Sequence, residues 1–183
     1  PVRDYECNCG KYKGNKFRNI NCDRCGVEVT KSSVRRERMG HISLACPVTH
    51  IWFFKAVPSR LSALLDIGLR DLERIIYYEE YIIIDPGETG LKEKELVNDD
   101  KYRELLNKYG NTFKAKIGAE AILELLKKVD LDALSKKFRR QIEIAKEGAD
   151  TSRINKILKI IEDFRKSNNS PEWMILDIVP VIP

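Results

Sequence analysis

The sequence lacks the features that would place it in a membrane or a secreted scaffold. Among its 183 residues, no window approaches the ~18 consecutive apolar residues of a membrane-spanning helix. No signal peptide opens the chain, and Pro1 is not a natural start, which favours a piece of a longer protein. The sequence also has no internal repeat and no low-complexity tract. These absences predict a soluble, intracellular globular protein that has no membrane partner.

Histidine is scarce, and cysteine is unevenly placed. The chain has two histidines, and four of its five cysteines lie within the first 25 residues. A disulfide framework would be even-numbered and spread along the chain, so this distribution favours a reducing compartment and a metal site. We therefore expect a cytoplasmic location and a metal-binding segment near the start of the chain.

Positive charge is concentrated in the cysteine-bearing third of the chain. Residues 1–60 carry twelve Lys/Arg against five Asp/Glu, a formal excess of seven, whereas the net charge of the whole chain is +5. A basic lobe on a near-neutral remainder favours an acidic partner, and nucleic acid is the first candidate. The alternative is a merely solvated surface, because net charge alone identifies no specific site.

Hydrophobic periodicity in the first half predicts short strands followed by helix. Residues 41–55 contain β-prone runs, at 41–44 and 50–54, that Cys46-Pro47 separates. A helical pattern covers residues 60–78 and is divided by Gly68, and a short apolar strand follows at 81–84. The turn residues Asp85-Pro86-Gly87 end that strand.

The second half is predicted to be mainly helical. Residues 88–115 are polar and weakly patterned, with a short helix at 99–109. Amphipathic helices are expected at 116–129, 131–145 and 153–166. Residues 148–152 break the pattern and offer capping side chains, so the last two helices form an antiparallel hairpin. A buried strand at 174–179 is expected to pair with 81–84.

The strongest local motif is a pair of cysteine knuckles, Cys7-Asn8-Cys9 and, after twelve residues, Cys22-Asp23-Arg24-Cys25. Structural zinc takes four thiolate or imidazole ligands, often from two short knuckles joined by a loop. A glycine follows each pair and lets the chain turn so that backbone amides face the sulfurs. The motif predicts one structural zinc ion held by Cys7, Cys9, Cys22 and Cys25, with no open position for a catalytic water. A redox CxxC pair and free thiols are the alternatives.

Three other side chains could enter a metal site but are better explained otherwise. Cys46 is interpreted as a small buried residue rather than a fifth ligand or a reactive thiol. His41 and His50 are interpreted as strand histidines with hydrogen-bonded rings, since four cysteines already stand in knuckle spacing. Trp52, Phe53, Trp173 and the helix leucines are predicted to lie in the core.

Several longer stretches carry a resemblance to a known family. They are Gly26–Thr30, Val34–Ile42, His50–Phe53, Pro58–Arg60, Leu64–Asp66, Arg70–Glu73, Tyr81–Gly87, Gly118–Ile122, Ser167-Asn168 and Pro171–Leu176. In this order and spacing they closely resemble the N-terminal part of the β′ subunit of bacterial DNA-dependent RNA polymerase, over essentially the whole chain. Cys46 stands where a small residue such as Ser is expected, and Asn19 where Gly is common. Residues 88–115 match least well and are expected to form a surface excursion.

The resemblance implies an α+β fold in two parts. Residues 1–40 would form a small zinc-ribbon-like element with a basic loop, its zinc bound by the four knuckle cysteines. Residues 41–183 would form a mainly helical body with a few short strands and a helical hairpin. That body belongs to the clamp, the pincer that closes over DNA. Its helical region would cover about 116–167, and its closing strand about 174–179.

The resemblance also implies a role in DNA-templated transcription. The whole enzyme is a nucleotidyltransferase, but the family's catalytic aspartate loop, which holds the active-site Mg²⁺, lies further along the subunit. This segment would therefore carry no catalytic residues and would bind no Mg²⁺. The implied partners are the remainder of β′, the β subunit and other polymerase subunits, DNA, nascent RNA, and transcription factors or sigma factor on the clamp. The implied location is the bacterial cytoplasm, in association with the nucleoid.

Two groups of basic residues are candidates for nucleic-acid contact. The first lies between the knuckles, and the second follows them: Lys11, Lys13, Lys16 and Arg18, then Arg35, Arg36 and Arg38. Tyr12 and Phe17 lie within the first group as possible stacking groups. The alternatives are a solvated loop for the first group, and salt bridges to Glu28, Glu37 or another subunit for the second.

Two other functions remain open from the residues. A free-standing zinc-ribbon protein that binds nucleic acid would need no partner subunits, so a large apolar surface on the body would count against it. A zinc hydrolase would need a water-bearing metal and a nearby carboxylate base, and the fourth thiolate counts against it.

Overall fold

The computed structural model describes residues 1–144 and 149–182. Within them the chain is mixed α/β, with eight α-helices and five short β-strands. It divides into two compact units, Pro1–Leu44 with Ile178–Pro183, and Ala45–Asp177. No helix in the described part of the chain is both long and apolar enough to cross a membrane.

The smaller unit is built from two tight hairpins that each enclose a cysteine pair. We call residues 6–13 the first knuckle and residues 21–28 the second, because antiparallel bridges join Glu6 to Lys13 and Asn21 to Glu28. Inside each hairpin a glycine with positive φ turns the chain, Gly10 at 76° and Gly26 at 70°. Only glycine adopts this conformation without steric cost.

The core of the smaller unit is very small. Its fully buried members are Cys7, Cys22 and Val29, and four aromatic or aliphatic side chains are packed partly against them: Tyr5, Tyr12, Phe17 and Val27. A short helix, α1 (Val34–Glu37), follows the second knuckle and has no buried residue. So few apolar contacts offset little of the conformational entropy lost on folding.

Strand β1 (Gly40–Thr49) pairs with strand β5 (Ile175–Val181) in a two-stranded sheet. The predicted pairing of 174–179 with 81–84 is therefore wrong. The predicted break at Cys46-Pro47 is also wrong, since β1 runs through both residues. Both strands of a two-stranded sheet are edge strands, where a proline that lacks an N–H is tolerated.

The run after β1 is a short helix, α2 (Ile51–Phe54), rather than the predicted strand. His50 precedes it and caps it, because its Nδ1 accepts a hydrogen bond from the Trp52 amide at 3.1 Å. His50 is thus a helix cap rather than a strand histidine, whereas His41 does lie in β1.

Helices α3 (Arg60–Leu65) and α4 (Leu69–Ile76) confirm the predicted helix and its division near Gly68. Asp66 adopts a left-handed conformation with φ 55°, which ends α3. The Ser62 hydroxyl donates to the Ile67 carbonyl at 2.6 Å and holds the connection. The inner faces of both helices are fully buried, through Leu61, Leu64, Leu65, Leu72 and Ile75.

Strand β2 (Tyr81–Asp85) is the centre of a three-stranded antiparallel sheet. Its neighbours are β3 (Leu96–Val97) and β4 (Lys114–Lys116). Along the chain, α5 (Asp99–Tyr109) lies between β3 and β4, and it confirms the helix predicted there. The segment 88–115 and strand β2 share a second small core, in which Tyr102 stacks on Tyr81 with ring centroids 4.1 Å apart.

The last helices are α6 (Gly118–Lys127), α7 (Leu131–Ile144) and α8 (Ala149–Ser167), and α7 and α8 pack against each other as predicted. The break predicted over 148–152 is wrong for most of its length, because α8 begins at Ala149 and includes Thr151 and Ser152. The expected break at Gly148, and the last core position expected of α7, Ala145, lie outside the described residues.

Four side chains expected in the interior are exposed, and one of them is the helix leucine Leu69, which is 38% exposed. Trp52 is 73% exposed and Trp173 is 64% exposed, so the prediction that both are core residues is wrong. Cys46 is also exposed, because most side chains of β1 have no layer packed over them. Phe53 is half-buried against the main core, and Phe54 beside it is buried.

Candidate metal centre and basic surface

The four knuckle cysteines converge, and their Sγ atoms all lie within 4.8 Å of one another. The Sγ atom of Cys9 is 3.6 Å from that of Cys7 and 3.6 Å from that of Cys22. A disulfide would need about 2.05 Å. With Zn–S bonds of about 2.3 Å, the edge of a tetrahedron of sulfurs is about 3.8 Å. The spacing therefore fits a shared metal ion and excludes a disulfide.

Backbone amides around the cluster point at the sulfurs, as the knuckle geometry requires. The Tyr12 amide donates to Cys7 Sγ at 3.2 Å, and the amides of Lys11 and Val27 donate to the sulfurs of Cys9 and Cys25. Such hydrogen bonds stabilise the thiolate form, which is the form that binds a metal. The two hairpins thus supply both the ligands and the donors that orient them.

Proton affinity is divided unequally among the four thiols. Hydrogen bonds from the Val27 amide and the Cys9 amide lower the pKa of Cys25 to about 6. The Lys11 amide lowers the pKa of Cys9, but partial desolvation of its sulfur and the neighbouring sulfurs outweigh it and raise that pKa to about 11. Without a metal, the cluster thus loses one proton easily and holds another tightly. A divalent cation would replace the protons that remain.

The other metal-binding candidates lie apart from the cluster. Neither His41, His50 nor Cys46 belongs to it, and among the described residues it is the one group able to hold a metal ion. Cys7 and Cys22 are each 2% exposed, Cys25 is half-buried and Cys9 is exposed. Four sulfur donors arranged in this way are typical of zinc or iron.

The predicted basic residues fall into paired and unpaired groups. Lys11 Nζ lies 2.6 Å from Asp23 Oδ2, Lys13 Nζ lies 3.0 Å from Glu6 Oε1, and Arg38 pairs with Glu28. Glu28 is among the partners predicted from the sequence, whereas Glu6 and Asp23 are not. The sequence nevertheless contains a signal that could have identified these two partners, because each acid stands next to a knuckle cysteine in the chain.

Four of the predicted basic residues form no ion pair within the described part of the chain: Lys16, Arg18, Arg35 and Arg36. All four are exposed. Tyr12 and Phe17 are not free stacking groups, because their rings meet edge to face with centroids 5.1 Å apart, against the cysteine core. The unpaired cations are thus the part of the basic surface that remains available to an acidic partner.

The chain combines a mixed α/β fold with a four-cysteine cluster and exposed cations near it. These features define the class of protein in which a bound metal ion would stabilise a small basic element. All of the chain, residues 1–183, matches the family model described as RNA polymerase Rpb1, domain 1. The chain belongs to this family, which confirms the resemblance noted in the sequence.

Individual relatives agree with the family match. The chain is 56% identical over 183 residues to the DNA-directed RNA polymerase subunit beta' of Thermodesulfovibrio yellowstonii. It is 55% identical over 184 residues to that of Caldicellulosiruptor saccharolyticus, and 57% identical over 183 residues to that of Lactobacillus acidophilus. Each alignment covers 100% of this chain but only 13%, 16% and 15% of the respective relatives.

Proposed function

We propose that the chain is the N-terminal zinc-binding and clamp region of the β′ subunit of a DNA-directed RNA polymerase. The observation that carries the proposal is the family match over the whole chain together with a closed four-cysteine cluster. In this role the chain holds DNA and nascent RNA, within a nucleotidyltransferase whose catalytic Mg²⁺ is bound elsewhere. We assign the zinc-binding element to residues 1–40 and the clamp body to 41–183.

The metal in this proposal is one structural zinc ion, bound by Cys7, Cys9, Cys22 and Cys25. The sulfur spacing and the amide donors support it. When bound, zinc joins the two hairpins and supplies folding free energy that the small core of this unit lacks. Four thiolates leave no position for water, so the ion has no catalytic part here.

The larger unit supports assembly with other subunits rather than a free-standing role. Trp52 and Trp173 line a groove of about 650 Å³, together with Phe53, Phe164 and Met174. Exposed apolar surfaces of this kind are typical of interaction sites. We propose that polymerase subunits, and on the clamp sigma or other transcription factors, are the partners of this chain.

Nucleic-acid contact is assigned to the unpaired cations of the smaller unit. Lys16, Arg18, Arg35 and Arg36 are exposed and have no acidic partner among the described residues. Phosphate is the complementary ligand, since arginine offers it two parallel donors. Lys11, Lys13 and Arg38 are already engaged in ion pairs and contribute less.

The test is binding of single-stranded RNA and of duplex DNA by the zinc-loaded 183-residue chain across a salt series. We expect a steep loss of affinity with salt. Replacement of Lys16, Arg18, Arg35 and Arg36 by Gln should reduce the log–log slope on a single strand by about 0.7 for each phosphate that the variant no longer neutralises.

The matched control replaces four exposed cations of the larger unit that form no ion pair with described residues: Arg70, Lys92, Lys127 and Lys159. Both variants lose the same charge, so a purely global electrostatic effect would reduce both slopes equally. If both variants reduced the salt slope equally, or if the wild-type chain did not bind at low salt, the assignment of the contact to the smaller unit would be contradicted.

A further inference from the structure

We infer that Lys11 and Asp23 act as a positioning pair that ties the two knuckles together and slows release of the metal. The inference rests on the zinc site of the proposed function. Lys11 lies two residues after Cys9 in the first knuckle, and Asp23 lies between Cys22 and Cys25 in the second. Their Nζ and Oδ2 atoms are 2.6 Å apart, so the pair spans the two halves of the cluster.

Each partner is also held against the cluster. The Lys11 amide donates to the sulfur of Cys9, and Lys11 Nζ lies 5.3 Å from the centre of the Tyr12 ring. The Tyr12 amide in turn donates to Cys7 Sγ at 3.2 Å. On the other side, Asp23 Oδ1 lies 3.9 Å from Cys22 Sγ. Lys11 thus contacts a sulfur through its own backbone amide, and the Asp23 carboxylate lies directly beside another sulfur.

The charges of the pair predict in which direction each substitution changes metal release. A zinc ion with four thiolates keeps a net negative charge, and the Asp23 carboxylate adds another close to Cys22 Sγ. Lys11 compensates that carboxylate. Loss of Lys11 alone leaves it facing the thiolates, whereas loss of both partners removes the repulsion. The two substitutions should therefore be non-additive, with the double variant closer to the wild type than the Lys11 variant.

Loss of the Lys11–Asp23 pair should affect the metal site rather than the overall stability of the chain. The side chains of Lys11 and Asp23 are 44% and 63% exposed, and ion pairs so open to water contribute little to the free energy of unfolding. Partners of metal ligands nevertheless change metal affinity by about 10–100-fold, because they hold the ligands in place. The rate of metal release therefore distinguishes a pair that positions the metal ligands from an ion pair that contributes only to overall stability.

The chain contains a matched control in the pair Lys13–Glu6. Its Nζ–Oε1 distance is 3.0 Å, and Lys13 belongs to the same knuckle as Lys11. Both partners of the control pair, however, stand opposite each other in the first knuckle. Substitution of Lys13 removes the same charge and a similar ion pair without uncoupling the two knuckles.

The experiment loads the 183-residue chain with one equivalent of Zn²⁺ and follows its transfer to an excess of a chromogenic chelator. Lys11→Gln should release zinc about tenfold faster than the wild type. Lys13→Gln should stay within about twofold of the wild type. The double variant K11Q/D23N should be slower than K11Q, and the charge-exchanged variant K11D/D23K should recover much of the wild-type rate.

Cobalt substitution separates positioning from ligation. The Co²⁺-loaded K11Q variant should retain the absorption of a four-thiolate site, because no ligand has changed. Equal release rates for K11Q and the wild type, or equal acceleration in K13Q, would overturn the inference while the zinc site stands. If the wild-type chain takes up no zinc, or shows no four-thiolate cobalt spectrum, the zinc site itself is refuted.

Discussion

At the scale of single residues, the cysteine cluster concentrates several roles in few side chains. Cys22 is 2% exposed and is at once a candidate ligand, a member of a three-residue core and part of the second knuckle. Its amide donates to the Val27 carbonyl at 3.0 Å, and its carbonyl accepts from the Gly26 amide at 2.8 Å. Loss of its sulfur therefore affects metal, core and hairpin together.

We predict that Cys22→Ser releases zinc and disorders residues 1–30 while the larger unit stays folded. The larger unit has its own core, which includes Leu61, Leu72 and Ile122, and it does not depend on the metal. Zinc content by elemental analysis and backbone amide exchange would measure the two effects.

The matched control for this prediction is Cys46→Ser, because Cys46 is an exposed thiol outside the cluster. It should retain one zinc ion per chain and show the exchange pattern of the wild type. Full zinc occupancy in the Cys22 variant would show that the four-ligand assignment is wrong.

At the scale of elements, a polar network joins the two helices of the hairpin. The buried Ser135 of α7 donates to Glu162 Oε1 of α8 at 2.5 Å. Arg139 and Arg165 also contact Glu162, at 3.1 and 2.9 Å, and Arg165 reaches Asp132 at 2.6 Å. Because its members come from both helices, the network sets their register as well as adding to the apolar contacts between them.

This network makes hairpin stability depend on pH in the acid range. Hydrogen bonds from Ser135 and then Arg139, with the nearby charge of Arg165, lower the pKa of Glu162 from 4.5 to about 2. A carboxyl with a depressed pKa in the folded state stabilises the fold above its unfolded pKa. That contribution is lost as the pH falls through the folded pKa. We therefore expect the loss between about pH 4.5 and pH 2.

The measurement compares thermal unfolding midpoints across this range for the wild type and Glu162→Gln. The difference between the two should shrink as the pH falls toward 2, since protonation makes the wild-type side chain neutral as well. Glu143→Gln on α7 is the control, because Glu143 is exposed and forms no ion pair with described residues. A wild-type and Glu162→Gln difference that is constant with pH would contradict the prediction.

Elements with strong periodicity could be predicted from the sequence, and their partners could not. The leucine spacing of α3 and the break at Gly68 are visible in the sequence because helix period and glycine act locally. Strand 174–179 is recognisable, but its partner β1 is not, because apolar composition does not encode which strand edge it meets. Segment 50–54 has β-prone residues, yet the His50 cap and tertiary packing favour a helical turn.

At the scale of the whole molecule, the main feature is apolar surface in the larger unit. Trp52 and Trp173 are mostly exposed and line one groove. The proposed assembly role rests on this exposed apolar groove, because large exposed apolar surfaces are typical of interaction sites. An isolated chain should therefore expose it to solvent and associate with itself or with apolar probes.

We predict that the double variant W52S/W173S folds with nearly wild-type stability but binds less of an apolar fluorescent dye. Exposed side chains contribute within about 0.5 kcal/mol to the free energy of unfolding. Phe54→Ala should cost about 3–5 kcal/mol, because Phe54 is only 3% exposed. Urea unfolding and sedimentation at several concentrations would measure stability and association.

The control for dye binding is Tyr77→Ser, an exposed aromatic residue that does not line the groove. It should leave dye binding and association unchanged. A large loss of stability in W52S/W173S would instead show that both tryptophans belong to the core, and it would contradict the proposed assembly surface.

The sequence by itself predicted the four cysteines that converge, the basic character of the first third, most helices and the family. These follow from local spacing, composition and residue order, which need no knowledge of distant contacts. Only the tertiary structure decided which lysines are paired, which strand β5 joins, and that Trp52 and Trp173 face solvent. Each of these depends on groups far apart in the chain, and the fold alone sets the distances between them.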